Sequence, residues 1–313
     1  MRTDALLNET ARLAQEYLDR LASDSISPAA SVEALRAALH RPCPERGTPA
    51  LAVIQELVRD ANDGLLKSSS GRFYGWVIGG TLPAALAADW LTATWDQNAA
   101  IHACSPAASV VEEVCGQWLK ELLGLPHKAS FALVTGCQMA HTTALAAARH
   151  QLLADRNWDV EAQGLAGSPP IRILTSGERH ESILRAVRLL GIGTAAIELT
   201  ASDDAGCLDV DDLSRRLAQH PDAPTIVCLQ AGSIHRGAFD PFGPACAVAH
   251  RHNAWVHVDG AFGLWVRASK RFRHLAADVD QADSWATDGH KWLNVPFDTG
   301  YVFVAHPTAH RAA

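Results

Sequence analysis

The stretch Asp283–Leu293, DSWATDGHKWL, decides how this sequence folds. Its apolar run Ser284–Thr287 predicts a buried strand, and a His-Lys pair follows where that strand ends. Upstream, His257–Gly263 reads HVDGAFG, which predicts the end of a second strand, closed by a carboxylate and two glycines. In an open α/β sheet, ligands bind outside the carboxyl ends of the strands. Lys291 and Asp259 are therefore predicted to lie at one ligand-binding edge.

An amine and a carboxylate at neighbouring strand ends are what a pyridoxal phosphate enzyme needs. Lys291 would form the Schiff base with the cofactor, and Asp259 would keep the pyridine nitrogen protonated. The apolar neighbours of Lys291 predict partial desolvation, which favours the neutral, nucleophilic amine. Two plainer readings stay open at this point. Lys291 could simply extend into solvent from a strand end, and Asp259 could cap the turn at Gly260.

The rest of the chain predicts an α/β fold, a mainly parallel sheet covered by helices, preceded by a helical N-terminal arm. Leucines recur at helical intervals in residues 1–67, and amphipathic helical stretches then alternate with apolar runs. The strands are predicted at Phe131–Val134, Ile171–Leu174, Ala195–Leu199, Thr225–Leu229, Ala254–Val258, Ser284–Thr287 and Tyr301–Ala305. The helices between them are predicted at Met139–Ala154, Ser182–Leu190, Val210–Gln219 and Pro244–His252.

The domain organisation follows from the loops. Ser68–Gly71 reads SSSG and is a plausible joint, so we predict an arm over residues 1–72 and a large domain over 73–313. Pro307 is typical of the first turn of a helix, yet the sequence stops at Ala313. That ending predicts a truncated chain.

Composition excludes several function classes. The 313 residues are 48% hydrophobic and carry a net charge of −7 with no charged tail, so neither a nucleic-acid partner nor a membrane is expected. The seven cysteines are scattered, odd in number and free of CxxC spacing, and the N-terminus has no apolar leader. These features predict a reducing, cytoplasmic location. The lysines other than Lys291 have polar or turn neighbours and are predicted to be solvated: Lys67, Lys120, Lys128 and Lys270.

Further polar groups follow other predicted strands. Gly136, Cys137 and Gln138 precede a helix whose first amides could seat a phosphate. His180 and Ser233 each come just after a strand, and His180 could stack on an aromatic ring or merely begin a helix. Convergence of several strand ends on one place is stronger than any single residue.

A metal site is the competing interpretation. His257 and Asp259 share one face of their strand, with His250 and His252 nearby. A spacing of two on a helix turns His250 and His252 apart, and no Cys or Glu completes the set. We therefore expect no metal.

Four motifs together resemble one family. Asp283–Leu293, Trp255–Gly263 and Gly237–Pro241 match it, as does Ser105–Ala107 followed by acidic residues and Trp118. The chain resembles the group II pyridoxal-phosphate-dependent amino acid decarboxylases, of aspartate aminotransferase-like (fold type I) architecture. The resemblance covers about residues 73–305. It implies pyridoxal 5'-phosphate as cofactor, release of CO2 from an L-amino acid to give the amine, and a homodimer.

The resemblance also implies a role for each matched residue. Lys291 would form the internal aldimine, and Asp259 would bind the pyridine nitrogen. His180 would stack on one face of the ring, with Ala261 against the other.

The phosphate end would involve a second group of residues. The resemblance places His290, Ser233 and the amides of Gly136, Cys137 and Gln138 near the phosphate.

Three departures from the family's pattern keep an alternative open. Cys137, Gln138 and His141 stand where relatives carry Gly, Thr and Asn, and Ile234–Arg236 adds bulk and charge. The family's C-terminal small domain, with its mobile loop, is expected to be absent. The alternative is a non-catalytic remnant that binds the cofactor or a partner without turnover. A transaminase or another lyase on the same fold is a third reading, and the motif around Lys291 disfavours it.

The identity of the substrate stays open. Phe73–Gly80 resembles a pocket-lining segment of the family. Its Trp76, with no arginine inside the segment, favours an aromatic or apolar side chain over an acidic one.

Overall fold

The computed structural model describes residues 3–313. The chain forms two compact units, one that ends at Thr81 and one that spans Leu82–Ala313. This division by contact density falls a little beyond the predicted boundary between residues 72 and 73. The boundary between a functional arm and a cofactor-binding domain itself stays a prediction.

The first unit is helical, as its leucine pattern predicts. Ser31 begins the second helix as an N-cap, with its hydroxyl accepting the backbone N–H of Ala34 at 3.1 Å. The helices are α1 (Thr3–Arg20), α2 (Val32–Leu39) and α3 (Ala50–Ala61), and a 3-10 turn follows at Asn62–Gly64.

The expectation of a solvated Lys67 was wrong. Lys67 is only 5% exposed, and its ammonium lies 4.1 Å from the centroid of the Tyr17 ring. The nearest carboxylate oxygen, on Asp24, is 3.9 Å away. An aromatic face and a carboxylate together make burial of an ammonium tolerable. The polar neighbours of Lys67 in sequence carry no information about these partners.

The second unit contains the sheet. Its seven strands are β1 (Ser130–Val134), β2 (Arg172–Thr175), β3 (Ile197–Leu199), β4 (Thr225–Gln230), β5 (Trp255–Asp259), β6 (Ser284–Asp288) and β7 (Gly300–Val304). Its helices are α4 (Pro83–Trp95), α5 (Pro106–Leu123), α6 (Gly136–Ala154), α7 (Val160–Gln163), α8 (Glu181–Leu189), α9 (Val210–Gln219), α10 (Phe242–Arg251), α11 (Gly289–Trp292) and α12 (Pro307–Ala312). Short 3-10 segments lie at Thr194–Ala196, Gly263–Ala268, Arg273–Ala276 and Val279–Gln281. Each of the seven predicted strands is confirmed.

The sheet has the order β1-β7-β6-β5-β4-β2-β3. The pairs β2/β3, β2/β4, β4/β5 and β5/β6 are parallel, and only β7 runs antiparallel to its neighbours. The predicted fold class, a mainly parallel sheet covered by helices, is confirmed. The carboxyl ends of β2, β4, β5 and β6 consequently share one edge.

Alternation along the central strands divides the core into two faces. Val256 and Val258 pack on one face, in a cluster with Phe242 of α10 and Trp285. Trp255 packs on the opposite face, in a cluster that includes the alanine-rich side of α6. His257 and Asp259 alternate with Val256 and Val258, so they point toward α6. Among residues 3–313, no helix combines the length and the apolar character needed to cross a membrane.

Asp283 stabilises the opposite edge of the sheet, at the start of β6. Its Oδ2 accepts the backbone N–H of Val256 at 2.7 Å and lies 3.0 Å from Nε2 of His250. Its Oδ1 lies 2.8 Å from Nε2 of His306. Burial raises the pKa of Asp283, but the hydrogen bonds from these partners outweigh burial and hold the pKa below its usual value. The bond to Asp283 in turn raises the pKa of His250.

This pair predicts a pH-dependent stability. Because the folded-state pKa of His250 is raised, its contribution is present below about pH 6.5 and is lost as the pH rises through the folded pKa. We expect His250→Ala to lower the free energy of unfolding by at most about 1 kcal/mol near pH 6, since the His250 side chain is 43% exposed and solvent screens its charge. Urea unfolding of both proteins at about pH 6 and about pH 8 measures the difference. A larger deficit at the higher pH contradicts the assignment.

Candidate active site

Parallel pairing brings the two predicted residues to the same edge. Asp259 is the last residue of β5, and its register partner on β6 is Ala286. Two residues later β6 ends at Asp288, and the single turn α11 carries Lys291. The backbone N–H of Asp288 donates to the carbonyl of Ala261 at 2.9 Å, which ties the two strand ends together.

Lys291 is partly desolvated, as its sequence neighbours predict. Its side chain is 21% exposed, and its Nζ lies 3.2 Å from Oδ2 of Asp288, which is almost fully buried. The amine therefore faces the site rather than open solvent. The reading of Lys291 as a lysine extending freely into solvent does not describe this geometry.

Asp288 also caps a helix. Its Oδ1 accepts the backbone N–H of Cys137 at 2.6 Å, at the start of α6, where Thr135 makes no side-chain cap. A carboxylate at this position is stabilised by the partial positive charge of the helix N-terminus. Asp288 belongs to the predicted motif but is not among the site residues predicted from sequence. The available signal was its place as a charged residue at a strand end.

Gly136 is the residue of this turn that needs a left-handed backbone, with φ of +74°. A Cβ at the neighbouring Gly300 would lie 2.4 Å from the carbonyl carbon of Gly136, so two backbones meet without side chains. Cys137 has helical geometry inside α6 and carries no such strain. Replacement of the family's glycine by Cys137 is therefore compatible with this loop.

Cys137 lies among the charged groups of the site. Burial raises the pKa of its thiol well above the usual value, and the carboxylates of Asp288 and Asp259 act in the same direction. Lys291 opposes them. The buried Cys137 thiol is therefore affected electrostatically by groups at the ends of both β5 and β6.

Asp259 is 7% exposed, and both of its oxygens have neighbours. Oδ1 accepts the backbone N–H of Ala261 at 3.1 Å, so the predicted turn-capping role is real. Oδ2 lies 3.5 Å from Nε2 of His141, a fully buried residue of α6. His141 is a second residue that sequence reasoning left out of the site. Its helix position gave no sign that it would reach the end of β5.

His180 lies at the start of α8 and is exposed. Its Nδ1 accepts the backbone N–H of Ser182 at 3.2 Å, which is the helix-start role considered for it. It also lines a cleft of about 560 Å³ with Arg179, His235 and Arg236. Gln138 joins this region to α6, because its Nε2 donates to the carbonyl of Ser182 at 3.2 Å.

The remaining predicted residues lie in the loops around this edge. Ser233 is buried in the turn after β4, where its hydroxyl accepts the backbone N–H of His235 at 3.3 Å. His290 is 8% exposed, with Nδ1 3.0 Å from the backbone nitrogen of Thr299 and Nε2 3.8 Å from Asp288. Ala261 lies two residues after Asp259, beyond Gly260, and is half-buried.

The metal set considered from sequence does not assemble. His250 bonds to Asp283 at the opposite edge of the sheet, away from Asp259. A different trio does converge, since potential ligand atoms of Cys137, His141 and Asp259 lie within 4.8 Å of one another.

Comparison with known proteins identifies the family. The family described as "Pyridoxal-dependent decarboxylase conserved domain" matches residues 33–311. This chain belongs to that family. Pyridoxal phosphate, predicted from the two strand ends, is thereby confirmed as the cofactor of the family, and amino acid decarboxylase is confirmed as its enzyme class.

The relatives include proteins of defined specificity. Rat (Rattus norvegicus) cysteine sulfinic acid decarboxylase is 30% identical over 231 residues, covering 73% of this chain and 46% of that protein. The human (Homo sapiens) acidic amino acid decarboxylase GADL1 is 29% identical over 241 residues, covering 76% of this chain and 45% of that protein. The chain thus spans about half the length of the curated relatives it matches.

Solved structures agree with the fold. The crystal structure of mouse CSAD matches with a TM-score of 0.90 at 26% identity, over 98% of this chain and 65% of that one. A structure of Oryza sativa TDC with PLP and tryptamine matches with a TM-score of 0.89 over 99% of this chain and 66% of that one. Its 24% identity makes that likeness one of fold alone.

The residues present fit the family's cofactor. Within residues 3–313, Asp259 pairs with no arginine or lysine within 4.0 Å, and the side chain that approaches its Oδ2 is His141, at 3.5 Å. A buried carboxylate of this kind calls for a further cation, which a protonated ring nitrogen supplies. The glycine contact between Gly136 and Gly300 keeps side chains away from the start of α6.

The cap on α6 gives a direct prediction. Asp288→Ala leaves the buried amide of Cys137 without its acceptor, which costs about 1–3 kcal/mol of stability. Asp288→Asn keeps an accepting oxygen and should cost clearly less. Urea unfolding of the cofactor-free proteins compares the two variants. Equal destabilisation by both, or none by either, contradicts the capping role.

Proposed function

We propose that this chain binds pyridoxal phosphate through Lys291 and Asp259 and decarboxylates an L-amino acid to the amine and CO2. The observation that carries the proposal is the pairing of β5 and β6. This pairing brings two groups to neighbouring strand ends: the buried carboxylate of Asp259, which pairs with no arginine in the described chain, and the partly desolvated amine of Lys291. Membership of the pyridoxal-dependent decarboxylase family supports the same conclusion.

The cofactor, when bound, supplies the electron sink that accepts the electrons released as CO2 leaves the α-carbon. Asp259 holds a proton on the ring nitrogen, because a buried carboxylate is best compensated by a cation in hydrogen-bond contact. Lys291 provides the amine that holds the cofactor covalently. Asp288, 3.2 Å from Nζ, orients that amine in the chain as it stands.

His180 and Ala261 are proposed to bracket the ring. The imidazole of His180 is exposed, and its Nδ1 is fixed by the hydroxyl and the backbone N–H of Ser182. Ala261 is small, and its backbone N–H donates to Asp259 Oδ1 at 3.1 Å, which suits close approach of a flat ring. Both assignments follow from the family's pattern together with these positions.

The phosphate is proposed to lie at the start of α6, against the amides of Gly136, Cys137 and Gln138, with Ser233 and His290 beside them. A helix N-terminus with a glycine turn favours an anion. The Cys137 amide already serves Asp288, so this carboxylate and the phosphate compete for one donor.

The first test separates cofactor binding from turnover. Pyridoxal phosphate added to the protein should produce a visible absorption band, and Lys291→Ala should abolish it. Lys270→Ala removes an exposed lysine and is the matched control, expected to leave the band unchanged. Absence of a band in the native chain, or its persistence in Lys291→Ala, overturns the assignment.

Turnover is measured on the same protein with a panel of L-amino acids. Stoichiometric CO2 and amine, absent in Lys291→Ala, support decarboxylation. A band without any amine product supports the non-catalytic alternative. Keto acid in place of CO2 indicates a transaminase.

We also propose that the chain forms a homodimer through α4 and α5. Helix α4 is apolar nearly all round, with Asp89 as its single charged residue, yet none of its residues is buried. Trp90 and Trp95 of α4 are 45% and 62% exposed, and Trp118 of α5 is 66% exposed. Exposed apolar surface of this extent marks an interface. A second copy of the same face is the simplest complement, because isologous contacts close on themselves.

The dimer proposal predicts that Trp118→Glu lowers the mass in solution from two chains toward one, since it buries a charge in the interface. Leu189→Glu on α8 is a control at a similarly exposed apolar position. Sedimentation velocity at several concentrations measures both. A monomeric native chain, or a variant as dimeric as the control, contradicts the interface.

We propose a cytoplasmic location because the cysteines are free. All seven are free thiols in the structure, including the exposed Cys43 and Cys104. Free exposed thiols persist in reducing compartments.

A further inference from the structure

A line of buried polar side chains runs behind Asp259, on the α6 face of the sheet. His141 Nδ1 lies 2.9 Å from Nε2 of His257, and His257 Nδ1 lies 2.9 Å from Oγ of Ser284. The indole N–H of Trp255 donates to the same Oγ at 2.9 Å. His141, His257 and Ser284 are all 0% exposed. The line ends at His141 Nε2, a buried nitrogen that makes no hydrogen bond in the described chain and lies 3.5 Å from Asp259 Oδ2.

The direction of these hydrogen bonds can be worked out from the Trp255 end. An indole nitrogen can only donate, so Ser284 accepts there and its own proton goes to His257 Nδ1. His257 must then carry its proton on Nε2 and donate to His141 Nδ1. His141 is left with its proton on Nε2, the nitrogen that lies 3.5 Å from Oδ2 of Asp259. If the hydrogen bonds ran in the opposite direction, the Ser284 hydroxyl proton would have no acceptor in this line. The lone pair of His141 Nε2 would then face the Asp259 carboxylate.

Both imidazoles are neutral, as this direction requires. Burial lowers the pKa of His141 to about 3, and the electrostatic effects of His180 and Lys291 act in the same direction. Burial likewise lowers the pKa of His257 to about 3, with a further decrease from His141 and an opposing effect of Asp259. Cys137 is the remaining titratable group against His141, and its thiol is protonated for the reasons given above.

We infer that His141 is a positioning residue, whose Nε2–H holds the Asp259 carboxylate in place for the cofactor ring nitrogen, and that His257 and Ser284 fix its tautomer. This inference rests on the role proposed for Asp259. It assigns a function to a fully buried histidine of α6. This line of hydrogen-bonded side chains, Ser284, His257 and His141, is called the relay. The relay carries no net charge, so it orients and stabilises the ionised carboxylate without replacing the cofactor ring as its counter-cation.

The converging ligand atoms of Cys137, His141 and Asp259 suggest a rival. A metal ion needs the lone pair of His141 Nε2, whereas the relay places a proton on that atom. The two interpretations therefore require opposite tautomers of one residue.

The first experiment reads the tautomer in the cofactor-free protein. Two-dimensional ¹H–¹⁵N spectra of ¹⁵N-histidine-labelled protein distinguish Nδ1–H from Nε2–H, with His141→Asn and His257→Gln used for assignment. We expect both residues as neutral Nε2–H tautomers from about pH 5 to about pH 8, a range in which an ordinary histidine titrates. An Nδ1–H tautomer at His141, or a signal that titrates in this range, overturns the inference. A signal that shifts on addition of Zn²⁺ alone also overturns it and supports the metal site.

The second experiment tests whether His141 affects cofactor binding through Asp259. His141→Gln places an amide N–H near the former Nε2, whereas His141→Asn is too short to reach the carboxylate. We expect His141→Asn to weaken pyridoxal phosphate binding about tenfold, as for loss of one hydrogen bond to a charged group, and His141→Gln to stay within about threefold of native. With a deaza analogue, in which carbon replaces the ring nitrogen, the two variants should bind alike. A difference that persists with the analogue shows a packing effect and overturns the positioning role.

The two experiments distinguish failure of this inference from failure of the proposed function. A native chain that binds no cofactor contradicts the proposed function, while the tautomer result still stands. Cofactor binding that requires Lys291, together with a titrating His141, contradicts the inference alone.

Discussion

The burial of Asp259 at the end of a central strand constrains everything around it. Its carboxylate is 7% exposed and faces no arginine or lysine in the described part of the chain. Burying a charge without compensation is costly, so each polar neighbour of Asp259 offsets part of the desolvation cost of its carboxylate. The amide of Ala261 bonds one oxygen, and the imidazole of His141 approaches the other. The cofactor's ring nitrogen completes the set in the function that we propose.

A second carboxylate organises the other half of the site. Asp288 bonds to the start of α6 and to the amine of Lys291. It thereby links the turn at Gly136 to the end of β6, across a long separation in sequence. Competition between this carboxylate and a phosphate for the Cys137 amide makes the start of α6 the place where cofactor binding must rearrange existing hydrogen bonds.

Much of this arrangement could be predicted from sequence because it depends on local pattern. The apolar runs ending in Asp259 and Asp288 are short, rich in β-formers and bounded by turns, so they indicate parallel strands. Once the strands are parallel, the rule that ligands bind at their carboxyl ends brings Lys291 to Asp259 without further information.

What sequence reasoning missed depends on contacts between distant segments. His141 and Asp288 act through partners on other elements, and the burial of Lys67 depends on Tyr17 and Asp24 in the first unit. The position of the left-handed residue in the α6 turn also required coordinates. It is Gly136, so Cys137 is compatible with the loop.

The most direct test of the central claim is chemical. The protein is incubated with pyridoxal phosphate, reduced with borohydride, digested and mapped by mass spectrometry. We predict a phosphopyridoxyl group on the peptide that contains Lys291, one of only five lysines in the chain, and on no other. Modification spread over the exposed lysines with Lys291 unmodified would contradict the account.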